Sequence, residues 1–348
     1  MMKSIFKVEL NFLRALLFYN FKIKKLPYTP LITAIEITNN CNYRCRFCPM
    51  NTKNSSILTK IDRDKRNIKL DELEFLIKKY KKYFHPRINL SFHGESFIHP
   101  EFPEIIGLLK KYKITYSITT NGSLFSGKNF DAVVDYQPKY MMFSLYTLDK
   151  NKYRSFTGGK LDITLKNISN FLKIKSRKTN VAIRTMNMPL FKDEKVRLKR
   201  KFGKYPKLEF VYGVLNSWAG RVDISKYDKD LGKHCVAGTK YCIQPWLKVD
   251  IGSNLDVYVC NNDDDKGIGN LKKDSLFSIW NSKGYISLRK NLLKGELEKN
   301  KLCNGCDTFD YTYAVDKPNP LFFNSSFIRL INTALGLNKN KDFTLRKK

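Results

Sequence analysis

The chain has 348 residues, of which 42% are hydrophobic, so it is long and apolar enough to form a main domain with a core and a smaller second domain. Lysine and arginine together number 64 against 32 acidic residues, and the formal net charge is +32. Basic chains favour phosphate-bearing partners, but lysine here is spread along almost every segment, as a lysine-biased genome would also produce.

Two flanking segments, residues 1–30 and 317–348, combine lysine with apolar residues at roughly helical spacing. Basic amphipathic helices lie on anionic membrane surfaces in some proteins, and more often they pack on a domain or cap an open barrel. Both alternatives stay open, so peripheral membrane contact is one expected interaction. The sequence shows no convincing signal peptide and no apolar run of membrane-spanning length. We therefore expect a cytoplasmic protein.

Strand and helix signals alternate over residues 31–220, as in the βα units of a parallel sheet. The predicted strands are TAIEIT, RINLSF, TYSITT, YMMFSL, NVAIRTM and LEFVYGV. Helical stripes are predicted from Leu70 to Phe84 and from Ile105 to Tyr112, and LDITLKNISNFLKI is a third predicted helix. The fold class is therefore α/β, and functional groups are expected at the carboxyl ends of the strands.

Three cysteines follow the first predicted strand in the segment CNYRCRFC, namely Cys41, Cys45 and Cys48. A 4Fe-4S cluster is normally held by four thiolates, so a loop that supplies three leaves one iron open to a small molecule. A structural zinc site needs a fourth protein ligand, and the nearest spare histidines, His85 and His93, lie far along the chain. A disulfide framework would leave one of the three unpaired.

Four further cysteines form a second, split group made of Cys242, Cys260, Cys303 and Cys306. Two separated cysteines and a C-x2-C pair suit either zinc or an iron–sulfur cluster. Cys235 is left over, and we expect it to be a buried apolar residue, with substitution for Cys242 as a ligand as the alternative. Because most of the eight cysteines fall into these groups, a secreted disulfide scaffold is disfavoured and a reducing compartment is expected.

The cysteine loop and the segments that follow later strands resemble the radical SAM superfamily. The resemblance implies a partial (β/α)6 TIM-like barrel over residues 31–220, and a 4Fe-4S cluster at Cys41, Cys45 and Cys48 whose open iron chelates S-adenosylmethionine. In SFHGES, His93-Gly94-Glu95 is similar to the family's GGE motif, so Glu95 is expected to accept hydrogen bonds from the methionine ammonium.

Three weaker similarities complete the expected cofactor site. The resemblance places Ser144 of FSLYT near the S-adenosylmethionine ribose, although Tyr146 stands where relatives often have an acid. Arg154 of YRSFTGG is the candidate partner of the cofactor carboxylate, with a surface salt-bridge arginine as the alternative. Phe47 matches an aromatic position near adenine, and packing alone is its alternative role.

Residues 235–306 are similar to the SPASM/twitch extension of these enzymes, since DVYVC, a GN dipeptide, a helix containing IW and LCNGC follow in order. We assign this small C-terminal Fe-S domain to residues 235–310. No cysteine occurs after Cys306, which predicts one auxiliary 4Fe-4S cluster at Cys242, Cys260, Cys303 and Cys306, as in the shorter twitch arrangement. Two 4Fe-4S clusters and S-adenosylmethionine are thus the expected cofactors.

The resemblance predicts a radical SAM oxidoreductase that cleaves S-adenosylmethionine reductively and abstracts hydrogen from a substrate, with an electron donor of the flavodoxin or ferredoxin type. A dehydrogenase acting on a small, anionic sugar or cyclitol alcohol is the leading prediction. One alternative is a SPASM peptide or protein maturase. Another is a zinc-stabilised nucleic-acid-binding protein, which accounts for the charge but not for HGE at a strand end. Arg221 is a further candidate for the active site, although an exposed position is the expectation for it.

Overall fold

The computed structural model describes residues 2–50, 63–186, 188–213, 215, 217–227, 242–263 and 266–306. Cys235 and the segment 317–348 lie outside the described residues. The proposed boundary between the domains runs from residue 220 to residue 235, and its part from residue 228 onward is also outside them. The domain limits therefore stay a prediction.

The core of the molecule is one sheet of nine strands. The strands are β1 (Leu31–Ile35), β2 (Phe84–Asn89), β3 (Tyr116–Thr120), β4 (Tyr140–Ser144), β5 (Asn180–Met186), β6 (Leu208–Gly213), β7 (Lys248–Ile251), β8 (Asp256–Tyr258) and β9 (Gly269–Asn270). Their order is β6-β5-β4-β3-β2-β1-β7-β8-β9. All neighbours from β6 to β7 are parallel, and the pairs β7–β8 and β8–β9 are antiparallel.

Helices precede, connect and follow the parallel strands. They are α1 (Met2–Asn20), α2 (Leu70–Tyr80), α3 (Phe102–Lys111), α4 (Gly127–Asp135), α5 (Lys150–Thr157), α6 (Leu161–Ile174), α7 (Glu194–Phe202), α8 (Gln244–Leu247), α9 (Leu276–Trp280) and α10 (Lys283–Lys294). Their apolar stripes pack on one face of the sheet, where residues such as Ile118, Phe143 and Ile183 are fully buried. The six sequential parallel strands form an open, partial (β/α)6 barrel, and this confirms the predicted fold class.

Each predicted strand overlaps an observed one. The helix that starts at Leu70 ends at Tyr80 and not at the predicted Phe84, because Phe84 is the first residue of β2. The reason is a short 3-10 turn at Lys81–Tyr83 that redirects the chain into the strand. β1 ends at Ile35, two residues before Ile37 of the predicted TAIEIT strand. After it, Glu36 is turned into a buried ion pair.

The amino ends of β1 to β7 lie at one edge of the sheet, called here the amino edge, and their other ends form the carboxyl edge. Helix α1 crosses the amino edge, where Lys7 Nζ donates to the carbonyl of Phe84 at 2.7 Å and Asn11 donates to that of Leu247 at 2.8 Å. The N-terminal segment therefore packs on the barrel. Among the described helices, none combines the length and the apolar character needed to cross a bilayer.

Candidate active site

The three-cysteine loop lies at the carboxyl edge and is pinned to the end of α5. The amides of Arg44 and Arg46 donate to the carbonyls of Thr157 and Phe156 at 3.0 and 2.9 Å. Burial raises the pKa of Cys45 well above its ordinary value, and the neighbouring Cys48 and Cys41 thiols raise it further. This coupling shows that the three sulfur atoms lie close enough to influence one another's pKa.

Two glycines allow α5 to approach the cysteine loop. Gly158 ends the helix with φ +76°, a left-handed conformation in which its amide donates to the carbonyl of Arg154. A Cβ on Gly159 would lie 2.2 Å from the ring of Tyr43, which belongs to the cysteine loop. The GG of YRSFTGG is therefore required by close packing on this loop.

Gly94 brings the HGE segment against the other side of the same loop. A Cβ at this position would lie 2.2 Å from the carbonyl oxygen of Thr38 and 2.8 Å from that of Asn40. The amide of Glu95 then donates to the Asn40 carbonyl at 2.8 Å. Replacement of the preceding glycine of the motif by His93 leaves this contact intact.

The carboxylate of Glu95 is buried beside the cysteine loop. It accepts hydrogen bonds from Thr120 Oγ1 and from the amide of Asn121, both at 2.7 Å. Burial nevertheless raises the pKa of Glu95 to about 7. Its charge also contributes to the raised pKa of Cys41, after the larger effect of burial, so the carboxylate and the first thiol are close.

The predicted turn after β3 is present and serves the same site. Gly122 has φ +75°, and Asn121 Nδ2 donates to Asn42 Oδ1 of the cysteine loop at 3.0 Å. The carboxyl ends of β1, β2 and β3 are thus joined by hydrogen bonds. This geometry brings Cys41, Cys45, Cys48 and Glu95 to one place.

Phe47 lies in a compact aromatic cluster. Its ring stacks on Phe156 with centroids 5.1 Å apart and meets Tyr146 edge-on at 5.4 Å. Tyr146 has φ +63°, and burial raises its pKa, an effect that a hydrogen bond with Ser144 partly opposes. Phe47 therefore has a packing role here, and its contact with adenine stays a prediction, as does that of Ser144 with ribose.

Arg154 and Arg184 occupy different environments. Arg154 is exposed on α5, although its neighbours in YRSFTGG contact the cysteine loop. Arg184 of β5, which the sequence argument missed, pairs in register with Ser144 and lies close enough to Tyr146 to lower its pKa against the larger effect of burial. A Cβ on Gly213 would lie 2.4 Å from Arg184 Nε, so the glycine makes room for the guanidinium.

Arg184 lies on the concave face of the sheet, away from the helices. Strand residues alternate between faces, and Ala182, two positions earlier, clusters with Tyr140 and Met142 on that face. A cation within an otherwise apolar strand, NVAIRTM, was the sequence signal available for this residue. It is the cation that β5 presents at the level of Ser144.

The second group of cysteines also converges. Burial raises the pKa of Cys303, and Cys242 and Cys306 raise it further. Burial likewise raises the pKa of Cys260, with further contributions from Asp263, Cys242 and Cys303. The turn at Cys303–Cys306 is closed by the Cys306 amide, which donates to the Cys303 carbonyl at 3.1 Å. The four thiols are thus close enough to influence one another's pKa.

A buried polar cluster joins the two cysteine regions. Arg63 Nη2 pairs with Glu36 Oε1 at 2.5 Å, and Arg63 Nη1 lies 3.1 Å from His93 Nδ1. His93 Nε2 lies 3.0 Å from the carbonyl of Asn261, which follows Cys260. Ser253 Oγ donates to Glu36 Oε1 at 3.1 Å. We call Glu36, Arg63 and His93 the polar clamp, because it ties HGE to the loops around the second cysteine group.

The clamp also fixes the orientation of the His93 ring. Its Nε2–H donates to the Asn261 carbonyl, and its Nδ1 lies 3.1 Å from Arg63 Nη1 and 3.5 Å from Glu36 Oε2. The expectation of a structural histidine at this strand end agrees with these contacts.

Arg221 is buried, contrary to the expected exposed position. Its Nη1 donates to the carbonyls of Trp218 and Asn262, both at 3.2 Å. The reason is the turn at Trp218 and Ala219, whose φ values of 52° and 59° fold the segment after β6 onto the Cys260 loop. Arg221 thus forms a second link between the barrel and the auxiliary region.

The donor sets fit iron–sulfur clusters in number and chemistry. One region supplies three thiols beside a buried carboxylate, and the other supplies four thiols. Four-thiol sites hold complete clusters, whereas three thiols leave one iron for another ligand. Among the described side chains, no group of three or more His, Cys, Asp or Glu is already placed to hold a metal ion.

Solved structures with the same fold include BtrN in complex with AdoMet and 2-DOIA, with 17% identity and a TM-score of 0.52 over 80% of this chain and 94% of that one. SuiB from Streptococcus suis bound to precursor peptide SuiA gives 17% identity and a TM-score of 0.60 over 86% of this chain and 76% of that one. For anSMEcpe with bound AdoMet the values are 16% and 0.55, over 88% of this chain and 100% of that one.

Among curated proteins, a probable GTP 3',8-cyclase from Methanococcus aeolicus is 31% identical over 144 residues, 38% of this chain and 43% of that protein. The corresponding protein from Pyrococcus horikoshii is 29% identical over 40% of this chain and 42% of its own length. The match therefore spans less than half of these relatives.

Sequence models identify the radical SAM superfamily at residues 35–201 and the SPASM iron–sulfur cluster-binding domain at residues 242–307. The chain thus belongs to the radical SAM superfamily and carries a SPASM domain, with S-adenosylmethionine and iron–sulfur clusters as its cofactors.

Proposed function

We propose that this chain is a radical SAM dehydrogenase that oxidises a small, anionic alcohol. The proposal is supported by the two sets of thiols that influence one another's pKa, three at Cys41, Cys45 and Cys48 and four at the second site. With its cofactors bound, the first site supplies a 5′-deoxyadenosyl radical from S-adenosylmethionine, which removes hydrogen from the substrate. A flavodoxin- or ferredoxin-type protein is the proposed electron donor.

Glu95 is the proposed anchor for the methionine ammonium. Its oxygens are oriented by Thr120 and Asn121, and it lies beside Cys41, so a bound ammonium would be adjacent to the open position of the three-thiol site. The ionised carboxylate is also a charge-assisted hydrogen-bond acceptor for an ammonium group. Ser144, Phe47 and Arg154 are the proposed contacts to ribose, adenine and carboxylate.

The proposed auxiliary site explains why oxidation is the favoured outcome. Cys242, Cys260, Cys303 and Cys306 would complete one cluster. A cluster with four protein thiolates has no iron open to substrate, so it suits electron transfer. Loss of a hydrogen atom to the radical, followed by loss of a proton and of one electron to this site, converts a carbinol to a carbonyl.

An anionic substrate is favoured by the charge of the concave face. Arg184 lies there beside Ser144, and Arg221 is buried between the barrel and the Cys260 loop. The names of similar proteins agree in part with this substrate class. BtrN was solved in complex with 2-DOIA, a small molecule, and the curated relatives are named for a nucleotide, GTP. A phosphate- or nucleotide-bearing sugar is the leading substrate class.

The test uses anaerobic, reconstituted enzyme with deuterated sugar phosphates and nucleotide sugars. The expected product is two hydrogens lighter than the substrate, with deuterium from one carbinol carbon found in 5′-deoxyadenosine. Apparent affinity should weaken as salt rises, because exposed charges are screened over about 10 Å at 0.1 M. The proposal fails if these substrates leave 5′-deoxyadenosine formation at its background rate.

A peptide or protein maturase is the second candidate, favoured by the TM-score of 0.60 to SuiB bound to its precursor peptide. A mass change on a peptide substrate alone, with none on sugars, would establish it. The zinc-stabilised nucleic-acid-binding alternative is disfavoured, because both cysteine groups lie within or beside matches to iron–sulfur families.

A further inference from the structure

The amino edge of the barrel, opposite the cysteine loop, carries a second feature that the proposed reaction does not use. Helix α1 is apolar on both of its faces. Its inner face buries Asn11, Ala15 and Leu16 against the barrel. Its outer face exposes Phe6 by 65%, Leu17 by 39% and Phe21, just past the helix, by 73%.

The exposed residues form one line along the helix. Leu10 and Leu13 lie between them and are partly buried, Leu13 against the core, and the spacing 6, 10, 13, 17, 21 keeps all five side chains on one stripe. We call these five residues the outer stripe. Large apolar side chains in a continuous exposed row mark an interaction surface, whereas isolated ones do not.

Positive charge lies at the same edge of the sheet as the outer stripe. Every loop that leads from a helix back to the start of β2, β3, β4, β5 or β6 lies at the amino edge, because these strands are parallel. Residues 81–83, 112–115, 136–139, 175–179 and 203–207 contain no aspartate or glutamate. They expose lysines in every loop, among them Lys82, Lys113, Lys139, Lys178, Lys204 and Lys207.

The chain after α1 extends this charge. Lys22, Lys24 and Lys25 are exposed between Phe21 and the start of β1. Lys22, Lys113 and Lys207 also occupy left-handed backbone positions, with φ of 56°, 53° and 53°, that glycine adopts with less strain. A general lysine bias accounts for the number of lysines, but not for the absence of acids from all five loops.

We propose that the amino edge, with the outer stripe of α1 at its centre, docks on an anionic lipid surface. An apolar row bordered by lysines matches the interface of a bilayer, where apolar side chains enter the acyl boundary and cations meet lipid phosphates. The strands hold the proposed active site at the other edge, about 17 Å away for a five-residue strand. Docking would therefore leave the cysteine loop facing away from the lipid.

Two other occupants fit the surface less well. An electron donor needs to approach the cysteine loop, which lies at the opposite edge. A nucleic acid would use the lysines, but between Phe6 and Phe21 the outer stripe consists of leucines, which offer no flat ring on which successive bases stack. The proposal goes beyond the proposed reaction and does not depend on it.

The test is sedimentation of the reconstituted full chain with vesicles of phosphatidylcholine alone, or with about one third phosphatidylglycerol. We expect binding only to the anionic vesicles, weakening as salt rises. The triple variant Phe6→Ser, Leu17→Ser, Phe21→Ser should lose binding by at least tenfold. The variant Lys113→Glu, Lys178→Glu, Lys204→Glu should lose on the order of 100-fold or more, since each lysine near such a surface contributes about fivefold.

A matched control places the same change elsewhere. Ile163, Val196 and Phe277 are exposed by 44%, 56% and 46%, and they lie outside the outer stripe and the five loops. Their triple serine variant should bind vesicles like the parent. Equal binding to neutral vesicles, or full binding by the Phe6/Leu17/Phe21 variant, overturns the proposal.

Two further results would assign the surface to another partner. A parent chain that is dimeric by light scattering, does not bind vesicles, and becomes monomeric in the Phe6/Leu17/Phe21 variant indicates a contact between two copies. Binding of single-stranded RNA without binding of anionic vesicles indicates a nucleic-acid surface. Either result overturns the lipid assignment.

Discussion

Replacing Arg63 by methionine isolates the contribution of the polar clamp. The substitution keeps a long side chain but removes the guanidinium that pairs with Glu36 at 2.5 Å and lies 3.1 Å from His93 Nδ1. Glu36 is fully buried, so its charge would be left without its main partner. Breaking a buried pair on one side costs about 3–5 kcal/mol, because the remaining charge is desolvated and uncompensated.

The pKa of Glu36 gives an independent magnitude. Burial acts to raise this pKa, but the hydrogen bonds and charges of His93 and Arg63 outweigh it and lower the pKa from 4.5 to about 2. At 1.36 kcal/mol per pKa unit, the ionised state stabilises the fold by about 3 kcal/mol at neutral pH. This agrees with the cost expected for the Arg63→Met variant.

The assay is urea unfolding of anaerobically reconstituted protein, followed by tryptophan fluorescence. We expect Arg63→Met to lower the midpoint by about 1 M urea, at a slope of about 3 kcal/mol per M. The matched control is Lys110→Met, which removes the exposed pair with Asp135 at 2.6 Å and should cost about 1 kcal/mol or less. The double variant Glu36→Gln, Arg63→Met should recover part of the loss, because no buried charge remains.

The pH dependence has a defined sign. A lowered pKa in the folded state means that the stabilisation is complete above pH 4.5 and is lost as pH falls from there toward about 2. The parent should lose stability in this range more steeply than Glu36→Gln. Equal midpoints for Arg63→Met and Lys110→Met would refute the account of the clamp as a buried, charged connection.

Three other substitutions test the proposed active site. Glu95→Gln should weaken S-adenosylmethionine binding by about tenfold or more in equilibrium dialysis, because a charge-assisted hydrogen bond is replaced by a neutral one; unchanged affinity would remove Glu95 from the cofactor site. Gly94→Ala should lower both the urea midpoint and the iron content, because its Cβ would lie 2.2 Å from the Thr38 carbonyl oxygen. The control Gly107→Ala should change neither, because its Cβ meets no atom within 4 Å. Arg184→Met should raise the KM for an anionic substrate at least tenfold while the urea midpoint changes little, and an unchanged KM would exclude Arg184 from substrate binding.

Much of the barrel follows from sequence patterns. Continuous apolar runs such as YMMFSL are typical of strands buried on both faces. The spacing of Leu73, Leu76 and Tyr80 is typical of a helix with one buried face. The cysteine loop and HGE could be placed because strand ends in a parallel sheet meet at one edge. These local rules do not depend on contacts between distant segments.

The polar clamp and Arg221 could not be predicted in the same way. Glu36 and Arg63 are 27 residues apart, and Asn261 is 168 residues from His93, so these contacts form between segments that are distant in the sequence. The available sequence signal was a charged residue inside an apolar run, Glu36 in TAIEIT and Arg184 in NVAIRTM. Such a residue needs a polar partner when it is buried, but the pattern does not say which residue provides it.

Iron content measured together with 5′-deoxyadenosine formation tests the central claim most directly. Reconstituted parent should hold about eight irons, on the basis of four per cluster, and should cleave S-adenosylmethionine under reducing, anaerobic conditions. The variant Cys41→Ala, Cys45→Ala, Cys48→Ala should keep about half of the iron and form no 5′-deoxyadenosine, whereas Cys235→Ala should match the parent. Undiminished cleavage by the triple variant, or its loss of all iron, would contradict the assignment of two separate clusters to the two thiol groups.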